Sequence, residues 1–86
     1  MEMVRIQVLG LGNRQHRQLS NNLMAALASI GLRADVEQVT DVDDILQLKV
    51  RSIPAIIYNG RIFFENGYTP TVEELREMLS AQAVEH

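Results

Sequence analysis

Apolar residues along this chain change period several times, and each change marks an element. From Met3 to Leu9, Val4, Ile6 and Val8 alternate with Arg5 and Gln7, the period of two expected of a half-buried strand. Gly10-Leu11-Gly12 interrupts it, and the spacing then lengthens. Leu19, Leu23, Ala26, Leu27 and Ile30 recur at helical intervals and predict a helix with one apolar stripe. Asn13 is placed to cap its start and Gly31 its end. Ala34 to Val39 alternates again, with Ala34, Val36 and Gln38 on one side and Asp35, Glu37 and Val39 on the other. A strand, a helix and a second strand in this order predict a parallel pair with a right-handed crossover.

The second half reads as a short helix, a hairpin and a closing helix. Thr40-Asp41-Val42-Asp43-Asp44 opens the short helix, with acids in the first turn where the helix dipole favours them. Ile45, Leu46 and Leu48 supply its apolar side. Ala55 to Tyr58 is a third strand, and Asn59-Gly60 is a strong two-residue hairpin signal because both residues accept positive φ. Arg61 to Glu65 returns antiparallel, and Asn66-Gly67 turns the chain once more. Thr71-Val72-Glu73-Glu74 fits a capping box. Leu75, Met78 and Leu79 then face inward on a helix expected to fray after Ser80. The order βαβαββα predicts an α/β fold: a four-stranded mixed sheet in order 2-1-3-4 with helices on its faces. With no linker, repeat or low-complexity tract, residues 1–86 are expected to form a single domain.

Composition narrows the function classes. Apolar residues at 47% and charged residues at 22% are globular values, not those of a disordered chain. No tryptophan is present, and Tyr58, Phe63, Phe64 and Tyr68 are the only aromatic residues, so aliphatic side chains must fill the core. No run approaches the roughly 20 apolar residues of a membrane span, and Met1-Glu2-Met3-Val4-Arg5 does not resemble a basic, apolar leader. The expectation is a cytoplasmic protein with no membrane partner. A net charge of −3 argues against general nucleic-acid binding. The charge is uneven: Arg5, Arg14, Arg17 and Arg33 stand against Glu2 in the first third, whereas Asp35, Glu37, Asp41, Asp43 and Asp44 face only Lys49 in the next segment. With no cysteine, the chain has neither a disulfide framework nor a thiolate metal site. Asp41, Asp43 and Asp44 read as helix-start acids rather than as a cation cluster.

The strand–loop–helix segment from Val8 to His16 is where chemistry is expected. Gly10 and Gly12 match the first two glycines of a dinucleotide fingerprint, but Gln15 stands where the third should be. A hairpin also replaces the next βαβ repeat. His16 offers an imidazole, the usual general base at neutral pH, yet no serine or carboxylate is locally spaced to complete a triad. His86 is the only other histidine.

The same loop, the Leu-rich first helix ending at Gly31, Ser52-Ile53-Pro54-Ala55, the Asn59-Gly60 hairpin and Thr71-Val72-Glu73-Glu74-Leu75 together carry a family resemblance. The chain is similar, over nearly its whole length, to the very small thioredoxin-like proteins called redox-active disulfide protein 2 or thioredoxin-like 3. Members of that family carry Gly-x-Gly-Cys-x-x-Cys in this loop. The resemblance implies that Asn13 takes the place of the nucleophilic cysteine and His16 that of the resolving one. It also implies a cis proline at Pro54, with Ile53 offering backbone groups to an extended peptide. Thiol–disulfide exchange needs a thiolate, so the family's redox activity is not expected to carry over.

Two classes of function are left. One is a non-redox binding module that takes a protein or peptide between the loop and the proline turn, through Gly12, Asn13, Arg14, His16, Arg17, Ile53 and Pro54. The other is a receptor or enzyme for a small anion, held by the helix N-terminus, Arg14, His16 and Arg17. A scaffold role with a vestigial site is the plainer alternative. No cofactor or metal is expected in any of them.

Overall fold

A computed structural model describes residues 3–84 of the chain. Its elements are β1 (Val4–Leu9), α1 (Arg14–Ile30), β2 (Ala34–Val39), α2 (Val42–Gln47), β3 (Ala55–Tyr58), β4 (Arg61–Phe64) and α3 (Val72–Val84). The four strands form one sheet in the order β2-β1-β3-β4. β1 and β2 are parallel, from Val4 opposite Ala34 to Leu9 opposite Val39. β1 pairs antiparallel with β3, and β3 with β4. The fold class and strand order are those the hydrophobic pattern predicts.

Alternation along the strands sends residues to two unequal cores. Ile6 and Val8 of β1, Ile56 and Tyr58 of β3, and Phe64 of β4 pack with Leu19, Leu23, Ala26 and Leu27 of α1 and Leu75 and Leu79 of α3. On the opposite face Leu9, Val39, Ala55 and Ile57 meet Ile45 of α2, with Leu48, Val50 and Ile53 beside them. Two helices cover the first face. The second is covered only at one end, by the single short helix α2. Its other end carries a polar row in which Glu37 sits 3.9 Å from Arg5 and accepts a 3.3 Å hydrogen bond from Gln7.

Local chemistry sets the ends of the elements. Asn13 caps α1, its Oδ1 accepting from the His16 N–H at 3.0 Å. At the other end Gly31 N–H reaches Ala28 O and Leu32 N–H reaches Leu27 O, a paired closure of the last carbonyls. Asp41 caps α2 by accepting from the N–H groups of Asp43 and Asp44. The capping box of α3 closes both ways: Thr71 N–H donates to Glu74 Oε1 at 3.0 Å, and Glu74 N–H to Thr71 Oγ1 at 3.1 Å.

Three features differ from the pattern-based expectation. α3 runs on past Ser80 to Val84, because Ala81, Gln82 and Ala83 favour the helix and nothing in the segment stops it. β4 ends at Phe64 and carries an irregularity. Ile56 faces Phe64 but Ile57 faces Ile62, so Phe63 is an extra residue, a bulge. This lets Phe63 join the larger core beside Phe64, its ring 5.4 Å from that of Tyr58. Finally, Leu46 is not on the buried side of α2: it is 69% exposed, and Ile45 alone on that helix is buried.

Candidate functional site

The Gly10–Asn13 loop is held from below by His16. This side chain is 3% exposed and is the one buried polar residue among the described residues. The Gly12 N–H donates to His16 Nδ1 at 2.9 Å. Nδ1 therefore presents its lone pair, and the ring proton lies on Nε2, which faces Gln38 Oε1 of β2 at 2.7 Å. Gln38 Nε2 in turn donates to Ser20 Oγ at 2.8 Å. One line of hydrogen bonds thus ties the loop, the first turns of α1 and the edge strand β2. Gly10 is buried against the same ring, and a Cβ there would lie 2.7 Å from its Cγ. The residue at position 10 has no room for a side chain while His16 occupies its place.

On one side of this loop lies an open groove of about 350 Å³. Its apolar lining comes from Leu11 of the loop, Val42, Ile45 and Leu46 of α2, and Val50 and Ile53 of the segment leading into β3. Leu11, Val42 and Leu46 are 57%, 55% and 69% exposed. Three large aliphatic side chains thus face solvent in one place. Arg51 and Ser52 complete the wall. The Arg51 N–H donates to Glu65 Oε2, and Ser52 Oγ donates to Glu65 O at 2.6 Å, which fastens this segment to the end of β4. The Ile53–Pro54 peptide bond is cis. Pro54 is buried behind the wall. Among the described residues, neither the N–H nor the C=O of Ile53 has a backbone partner.

On the other side of the loop is a groove of about 430 Å³ lined by polar residue types, Gly12, His16, Arg17, Ser20, Asn21, Gln38 and Thr40, whose carbon atoms supply most of its surface. Arg17 Nη1 donates to Gly12 O at 3.2 Å.

The residues singled out from sequence thus separate. Ile53 lies on the apolar groove, with Pro54 behind it, whereas Gly12, His16 and Arg17 line the polar one. Asn13 is spent on capping, and Arg14 is exposed in the first turn. His16 is not the outward-facing cation that a small-anion site would use, since both ring nitrogens already have partners. A signal for its burial lies in the sequence. His16 stands three residues before Leu19 and seven before Leu23, which places it on the apolar stripe of α1. Leu11, Val42 and Leu46 are the groove residues that the pattern did not single out. Their signal is an apolar residue between two glycines, and a helix of six residues whose one apolar face, Val42, Ile45 and Leu46, is large for so short an element.

Among the described residues no group of three or more His, Asp or Glu is placed to hold a metal. No helix among them is long and apolar enough to cross a membrane.

Comparison with known proteins points to one family. The sequence profile of the thioredoxin domain matches residues 4–80. A protein named thioredoxin from Methanocaldococcus jannaschii is 34% identical over 79 residues, covering 92% of this chain and 90% of that one. A second protein named thioredoxin, from Methanothermobacter thermautotrophicus, is 27% identical over 78 residues, covering 91% of this chain and all of that one. The βαβαββα order, the 2-1-3-4 sheet and this match over most of its length agree, and the chain belongs to the thioredoxin-domain family.

Proposed function

We propose that this chain is a thioredoxin-fold binding module that works without thiol chemistry, and that it takes an extended peptide segment of a protein partner in the apolar groove beside the Ile53–Pro54 turn. The observation that carries the reading is that groove. Leu11, Val42 and Leu46 stay exposed on its walls, where burial against a partner's apolar side chain is favourable. The unpaired Ile53 N–H and C=O add a donor and an acceptor at the rim, which suits an incoming strand. The absence of any cysteine supports the non-redox half. Disulfide exchange proceeds through a mixed disulfide that only a thiolate can form. On the family resemblance, Asn13 and His16 occupy the two cysteine positions, where Asn13 caps the helix and His16 braces the loop. No observation favours the small-anion reading built on His16.

The test is a displayed random-peptide library selected on the full chain, followed by titration of the selected peptides. The expected result is saturable binding that Leu46→Asp removes, together with no reduction of insulin disulfides by the protein alone. Selection that yields no saturable binder, binders indifferent to Leu46→Asp, or measurable insulin reduction would each overturn the proposal.

A further inference from the structure

The two grooves, apolar and polar, flank one loop and are lined by neighbouring residues of the chain. Leu11 lines the first and the next residue, Gly12, the second; Val42 lines the first, and Thr40, two residues earlier, the second. An extended segment advances about 3.3 Å per residue, so one lying across this loop touches both grooves within a few residues. The charge along this path is also distinctive. The chain has 11 acidic residues against 8 lysines and arginines, yet neither groove has an acid in its lining and each has one arginine, Arg51 in the apolar groove and Arg17 in the polar one.

The acids nearest in sequence are turned elsewhere. Asp41 lies between Thr40 and Val42, but its carboxylate accepts from the Asp43 and Asp44 N–H groups. Asp43 and Asp44 fall off the face of α2 shared by Val42, Ile45 and Leu46. Glu65 stands 3.7 Å from the Arg51 guanidinium, whose side chain is still 88% exposed. Among the described residues Arg17 gives one N–H to Gly12 O and makes no other hydrogen bond, while a guanidinium has five donors.

From this arrangement we infer that the peptide taken by the groove is an apolar–acidic one. An aliphatic or aromatic side chain lies against Leu11, Val42 and Leu46, and an Asp or Glu carboxylate a few residues along meets Arg17 in the polar groove. The inference rests on the peptide-binding reading above and adds to it the class of sequence selected. Complementary charge of this kind acts chiefly on specificity and rate of encounter, while the apolar groove supplies the main contact.

The experiment uses labelled nonapeptides with Leu, Ile or Phe at the centre and Glu, Gln or Lys one to four residues on, titrated against the full chain by fluorescence polarisation. The best Glu peptide is expected to bind about three- to five-fold more tightly than its Gln isostere, as for an exposed ion pair. High salt should reduce that ratio. Arg17→Gln should bring the ratio close to one, and Arg17→Lys should keep most of it. Peptides that bind with equal affinity as Glu and Gln, or best as Lys, would overturn the inference and leave the binding module standing. A set in which no peptide binds would overturn both.

Discussion

The two faces of the sheet are built from the same alternating strands and end in opposite states. The face under α1 and α3 is closed by Leu19, Leu23, Leu27, Leu75 and Leu79. The face under α2 has one buried helical side chain, Ile45, and leaves Val42 and Leu46 on the same helix in solvent. The difference shows where the packing that stabilises the fold resides. A small domain needs one well-packed core, and once α1 and α3 have supplied it, the second face can be left with the single short helix α2 and an open groove beside it.

The sharpest way to break this comparison is to empty the closed face. Leu23→Ala should cost about 2–5 kcal/mol in denaturant unfolding, as for a buried leucine whose cavity does not collapse. Next in size comes the loop between the grooves. Gly10→Ala pushes a methyl into the His16 ring and should cost about 1–3 kcal/mol. Combining it with His16→Gly, which removes both the ring and the Cβ that would lie 2.8 Å from the new methyl, should give less than the sum of the two single effects. Full additivity in the same unfolding measurement would show that the close packing at position 10 is not what destabilises the variant. Asn13→Ala removes the cap of α1 and should cost about 1 kcal/mol, read most directly as faster amide exchange at His16. The smallest stability effect belongs to the open face. Leu46→Asp should shift unfolding by no more than about 0.5 kcal/mol while removing peptide binding. A large loss of stability there would mean that Leu46 is a core residue and not a groove residue.

Most of the architecture was legible because period and caps are local. The β1 alternation, the α1 stripe, the Asn59-Gly60 turn and the Thr71–Glu74 capping box each depend on residues a few positions apart. The site was less legible because it depends on neighbours far along the chain. His16 could be placed on the stripe by counting, but its partner Gln38 is 22 residues away, and nothing local says that an amide waits there. Periodicity likewise says that Val42 and Leu46 share a side of α2. It does not say that the sheet beneath is already filled by Ile45, Ile57 and Val39, so that those two side chains are left outside. The bulge at Phe63 was equally hidden, since one extra residue in a four-residue strand leaves no clear mark on alternation.

That extra residue bears on how the chain behaves in a crowded solution. Fibrils grow when one exposed sheet edge templates the next copy. β4 is such an edge, and its apolar Ile62 and Phe63 would suit it to that use. The bulge breaks the regular ladder and twists the strand, so an incoming copy finds no straight row of donors and acceptors to zip along. The opposite edge, β2, carries Asp35 and Glu37 and repels its own kind. A molecule that keeps an apolar groove on its surface thus presents an irregular ladder at one end of its sheet and acids at the other.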